Sequence, residues 1–108
     1  MFNIGVFCGA HSGNDPKFVE AAQELGKTMA DRGMTLVYGG ATVGLMGILA
    51  DAVLKNKGQV VGVIPQDLTS KEIMHTSLTN LQIVSSLADR KEVMIKESDI
   101  FITLPGGL

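Results

Sequence analysis

The sequence predicts an α/β fold, a Rossmann-like doubly wound parallel sheet with helices on both faces. Short apolar, β-branched runs recur at residues 3–8, 34–38, 59–64, 80–84 and 99–104, and segments with helical apolar spacing separate most of them. Small or glycine-rich turns follow the runs at Gly9, Gly39 and Gly106. Strand and helix alternating in units of about 30 residues require right-handed crossovers, hence parallel strands. Ligands of such sheets sit beyond the carboxyl ends of the strands, near the switch in strand order. The loops after Cys8, Tyr38, Ile64 and Leu104 all leave from that edge.

Each element has its own warrant. After the first strand, Asp15 and Pro16 supply an N-cap and a first-turn proline. The helix expected from about residue 16 to 32 places Phe18, Val19, Ala22, Leu25, Gly26, Met29 and Ala30 on one face, with Gly33 as its C-terminal cap. Residues 34–38 form the second strand, and the loop Gly39 to Gly47 follows. A second helix is expected from there to about Lys57, with Met46, Leu49, Ala50, Val53 and Leu54 buried and Gly58 as its stop. Residues 59–64 are continuous in β-branched character and read as a strand buried on both faces, ended by Pro65. A polar irregular stretch from Gln66 to Thr79 leads to a short fourth strand, and Ser86 to Glu97 reads as a third helix. Asp99 to Leu104 reads as a buried strand that delivers Pro105-Gly106-Gly107 to the carboxyl edge of the sheet. The chain stops where a further helix would begin, so residues 1–108 are expected to be a single, truncated domain.

Composition narrows the function classes. With 45% hydrophobic residues the chain can build a core, and a net charge of −2 with nine scattered Lys and Arg argues against a nucleic-acid groove or an anionic membrane surface. No apolar stretch approaches the roughly 18 residues needed to span a bilayer, and the N-terminus lacks the pattern of a signal peptide. A single cysteine, Cys8, permits no internal disulfide and points to a reducing, cytoplasmic compartment. His11, His75 and Cys8 lie far apart and show no metal-ligand spacing, and no Gly-x-Ser-x-Gly turn supports a nucleophilic triad.

The candidate chemistry lies in the loops. Gly106 and Gly107 leave main-chain N–H groups open to an anion. Gly39-Gly40-Ala-Thr-Val-Gly-Leu-Met-Gly47 is a glycine-rich turn from strand to helix. It matches neither the dinucleotide pattern nor the P-loop, and tight turning and close packing are its alternative reading. Ser12, in the loop after the first strand, is within reach of a phosphate in the same reading, ahead of His11. Arg90 and Lys91 follow Asp89 in the first turn of the third helix. There a guanidinium can hold a phosphate or carboxylate bidentately and an ammonium can add a point charge. Glu72 lies in the polar loop after the third strand.

Taken together, Cys8-Gly-Ala-His-Ser-Gly13, Val37-Tyr-Gly-Gly-Ala-Thr-Val-Gly-Leu-Met-Gly47, Gly62-Val-Ile-Pro65, Asp89-Arg-Lys91 and Leu104-Pro-Gly-Gly107 resemble the LOG ("Lonely guy") family. These are cytokinin riboside 5'-monophosphate phosphoribohydrolases, often mislabelled lysine decarboxylases. The resemblance implies hydrolysis of the N-glycosidic bond of a nucleoside 5'-monophosphate, such as a cytokinin riboside 5'-monophosphate or AMP, to free base and ribose 5-phosphate. It implies no metal and no organic cofactor, a small-molecule substrate and a homodimer. It assigns Arg90 as catalytic and Glu72, Arg90, Lys91, Gly106, Gly107, Leu108, Gly39, Gly40 and Ser12 as substrate-binding. The family pattern continues past Leu108 as Gly-Thr-x-x-Glu, whose glutamate is the family's catalytic carboxylate. Leu87 and Ala88 stand where the family often has Met and His. A non-catalytic nucleotide or cofactor carrier on the same fold, and an inactive fragment of the hydrolase, are the alternatives.

Overall fold

The computed structural model describes residues 2–7, 16–40, 44–66 and 80–103. In chain order the elements are β1 (Asn3–Phe7), α1 (Pro16–Asp31), β2 (Thr35–Tyr38), α2 (Gly44–Lys55), β3 (Gln59–Pro65), β4 (Asn80–Val84), α3 (Leu87–Glu97) and β5 (Ile100–Thr103). The strands form one sheet in the order β4-β3-β2-β1-β5, and every pairing is parallel. The sequence-based fold class is therefore the observed one.

Side-chain alternation along the strands divides the core into two layers. On one face Ile4 and Val6 of β1, Leu36 and Tyr38 of β2 and Val60 of β3 meet Ala22 and Met29 of α1 and Leu49, Ala50 and Val53 of α2. On the other face Val37 and Val63 meet Met94 of α3, with Val61, Val84 and Val93 packed around them. The two-sided burial of β2 and β3 explains why those strands read as unbroken apolar runs. The split follows from connection handedness. Right-handed crossovers that step outward from β1 to β2 to β3 put α1 and α2 on the same side, and the return from β4 to β5 puts α3 on the opposite one.

Small residues allow α1 and α2 to approach closely. A Cβ placed on Gly26 would lie 2.6 Å from the Ala52 Cβ and 3.0 Å from the Leu49 carbonyl oxygen. The packing gained there offsets the roughly 1 kcal/mol that a mid-helix glycine costs relative to alanine.

Three expectations are corrected. The second helix begins at Gly44, so Gly44 to Gly47 form its first turn and not part of the preceding loop. It ends at Lys55, where Gly58 N donates to Val53 O (2.8 Å) and Lys57 N donates to Leu54 O (3.0 Å). That pairing is a Schellman cap whose left-handed position is filled by Lys57 (φ 66°), one residue before the glycine expected to stop the helix. Gly58 answers a packing need instead, since a Cβ there would lie 2.6 Å from Val53 Cγ1. The same cap closes α1 with Gly33 (φ 69°) at that position, as the sequence suggests.

The third correction concerns the last strand. Among the described residues β5 pairs only with β1, and Ile100 and Phe101 are 45% and 42% exposed. A β-branched run reads alike whether one or both of its sides are covered, and the reading of the chain as a truncated domain carries this partial exposure of residues 99–104. Phe101 lies over Gly5, where a Cβ would meet its ring at 2.8 Å, and it stacks on Phe7 with ring centroids 5.5 Å apart. A backbone clasp holds this end of the sheet together. Asn3 N donates to Asp99 Oδ2 (2.7 Å), Asn3 Nδ2 donates to Glu97 O (2.8 Å), and Asp99 N donates to Asn3 O (2.8 Å).

Candidate functional site

The chain leaves β1 toward β2, β3 and β4 and then returns to pair β5 on the other side of β1. The switch in direction thus lies between β1 and β5, and the crevice it opens is at the carboxyl ends of the strands. α3 starts from this edge. Ser86 caps it in an extended conformation, its Oγ accepting a hydrogen bond from Asp89 N (3.2 Å), and Arg90 N donates to Ser86 O (3.0 Å). The Ser-x-x-Asp pattern at residues 86–89 is the sequence signal for this start, and Asp89 complements the positive end of the helix dipole.

This start fixes where Arg90 goes. Its guanidinium reaches the residue that follows β2, and a Cβ built on Gly39 would lie 3.0 Å from Arg90 Nη1 and 3.7 Å from Cζ. Gly39 and Arg90, far apart in sequence, are therefore neighbours at the carboxyl edge. Met46 of α2 borders the same spot, its Sδ 3.8 Å from that position; its part in the site has no distinct sequence signal, because it also reads as an ordinary core residue. Arg90 is half-buried, and among the described residues no carboxylate pairs with it. Burial lowers its pKa from the ordinary guanidinium value, yet a guanidinium stays charged at neutral pH. A partly desolvated cation with no counter-charge among the described residues favours an anionic ligand, because ion pairing recovers the lost solvation.

The other sequence-predicted site residues divide in two. Gly40 is buried with φ 83°, a conformation that only glycine adopts without strain, and Lys91 is exposed one position beyond Arg90. Ser12, Glu72, Gly106, Gly107 and Leu108 lie outside the described residues. Among the described residues no group of three or more His, Cys, Asp or Glu is placed to hold a metal ion, and no helix is long and apolar enough to cross a membrane. A groove of about 440 Å³ lined by Gln23, Lys27, Ile48, Asp51, Ala52, Lys55 and Asn56 runs between α1 and α2 and contains none of the predicted site residues.

A family model described as the SLOG cluster4 family matches residues 1–108. The chain belongs to that family. Over 104 residues this SLOG cluster4 chain is 48% identical to the Oryza sativa subsp. japonica protein named "Probable cytokinin riboside 5'-monophosphate phosphoribohydrolase", covering 96% of the chain and 47% of that protein. It is 46% identical over 107 residues to the cytokinin riboside 5'-monophosphate phosphoribohydrolase of Rhodococcoides fascians, covering 98% of the chain and 54% of that protein. The chain thus spans about half the length of the curated relatives it matches. Among solved structures, a Moco carrier protein from Chlamydomonas reinhardtii superposes with a TM-score of 0.80 at 22% identity, over 98% of the chain and 65% of that protein. At that identity the likeness is one of fold.

Proposed function

We propose that this SLOG cluster4 chain acts on nucleoside 5'-monophosphates, hydrolysing the N-glycosidic bond to release free base and ribose 5-phosphate. The observation that carries the reading is Arg90. It is a half-buried guanidinium without a described carboxylate partner, held at the carboxyl edge of the sheet by a capped helix, in a chain 48% identical to a relative named for this reaction.

The reaction breaks the bond between ribose C1′ and the base nitrogen. Its electron pair leaves with the base, which takes up a proton, and the oxygen of water bonds to C1′. Positive charge builds on the ribose ring and negative charge on the departing base, so groups of opposite character at the two ends stabilise one transition state. In this reading Arg90 holds and polarises the substrate, and Lys91 adds an ammonium at its rim. Gly106, Gly107 and Leu108 begin the phosphate cradle, with Ser12 reaching the same phosphate, while Glu72 binds the substrate from the loop after β3. Gly39 and Gly40 line the crevice. Phosphate contacts remote from the scissile bond orient the sugar. The protein is further read as one nucleotide-binding domain, cytoplasmic and homodimeric.

The test is release of free base, followed by chromatography, from AMP and its N6-isopentenyl analogue. Turnover by the wild-type chain that falls about 100-fold or more in Arg90→Ala is the expected result, the usual effect of removing a charge-stabilising donor. Stoichiometric binding of AMP without base release would replace the hydrolase by a nucleotide carrier. Neither binding nor release would mark the chain as inactive.

A further inference from the structure

Gly39 is read above as lining the substrate crevice, and its geometry carries a further reading. Its φ lies outside the left-handed region, unlike that of Gly40 (φ 83°), so its backbone conformation does not demand glycine. A methyl group there would meet Met46 Sδ at 3.8 Å, which is ordinary van der Waals contact. Among the described residues the single close obstacle is Arg90 Nη1 at 3.0 Å, the far end of a long side chain. The guanidinium therefore borders the space of a residue 39 side chain so tightly that it must give by a few tenths of an ångström to admit a Cβ.

We infer that Gly39 is a positioning residue, a seat whose missing side chain lets the Arg90 guanidinium lie against the main chain at the end of β2. The inference rests on the reading of Arg90 as the group that holds the nucleotide. It is separable from that reading, because seat and occupant can be observed without substrate. Residue 39 acts through Arg90, and the substrate is not its contact.

Gly39→Ala carries a further expectation that separates position from stability. The added methyl displaces only a flexible side-chain end, and replacing glycine at a compatible φ restricts the unfolded chain, so the melting temperature should stay level or rise slightly. Substrate affinity should fall nonetheless, because displacing a binding group by a fraction of an ångström already impairs binding.

The experiment uses the full 108-residue chain, labelled with 15N. The Arg90 Nε–Hε resonance is recorded in the free protein for wild type, Gly39→Ala and Gly39→Val, and AMP is titrated by calorimetry into each and into the same substitutions in an Arg90→Ala background. The resonance is expected to shift progressively from Ala to Val. AMP affinity is expected to fall about threefold for Ala and about tenfold for Val, with less than about twofold change in the Arg90→Ala background, the non-additivity that marks two residues acting as a unit. An Arg90 resonance that stays put in both variants overturns the inference, as does an equal loss of affinity with and without Arg90, which would make residue 39 a direct contact. A wild-type chain that does not bind AMP counts against the hydrolase reading alone, and the seat is then judged from the Arg90 resonance in the free protein.

Discussion

On the α1–α2 face of the sheet, Ala22, Met29, Leu49 and Val53 meet Leu36, Tyr38 and Val60, and all of these side chains are buried. The α3 face starts from the same strands yet closes only over Val37, Val63 and Met94, and beyond them Phe7 and Phe101 stack in partial contact with solvent. The closed face supplies stability through packing that leaves no room for change. The open face carries Arg90, half-buried and with no carboxylate partner among the described residues, a cost that an anionic ligand would relieve. Under the proposed function, stability and binding are thus divided between the two sides of one sheet, and substitutions on each side should move different observables.

The largest stability change should come from the closed face. Leu49→Ala removes a fully buried side chain from the α2 contact with the sheet and should destabilise the chain by about 3 kcal/mol, read from the urea midpoint. It should leave AMP affinity of the remaining folded protein unchanged, and a loss of affinity would break the proposed division. Arg90→Ala is the mirror case. The fall in turnover proposed for it should come with a urea midpoint at or above that of wild type, because a desolvated charge is being removed. Ser86→Ala joins the two sides. Losing the hydrogen bond to Asp89 N should cost about 1 kcal/mol, and the frayed first turn should lower AMP affinity as well, since Arg90 sits in it. Lys57→Gly is the smallest change. It relieves the left-handed strain at that cap (φ 66°) and should raise stability by up to about 1 kcal/mol with no effect on binding.

Much of this arrangement is legible in the sequence. The 3.6-residue spacing from Phe18 to Ala30 and the unbroken apolar runs of β2 and β3 encode helix and two-sided strand directly, because periodicity reports burial. Ser86 and Asp89 announce the start of α3 through capping chemistry. What stays hidden depends on contacts between distant residues. Nothing local says that the side chain of Arg90 ends 3.0 Å from where a Cβ of Gly39 would be. The β-branched run of β5 does not reveal how far Ile100 and Phe101 are exposed, and Lys57 takes the left-handed position while Gly58 packs against Val53 and Ala30.

The pairing of β1 with β5 also has a consequence for the order of assembly. β1, close to the N-terminus, finds its second neighbour only at Ile100 to Thr103, and the clasp between Asn3 and Asp99 joins positions 96 apart. At the usual pace of about 5–20 residues per second, a chain leaving the ribosome carries β1 with one unpaired side for roughly five seconds or more. During that interval β2, α1 and α2 can already shield one face of β1, but its free edge is open to any passing strand. The β1–β5 pair can form only once residues 100–103 have been made, so this pairing waits on synthesis of that stretch.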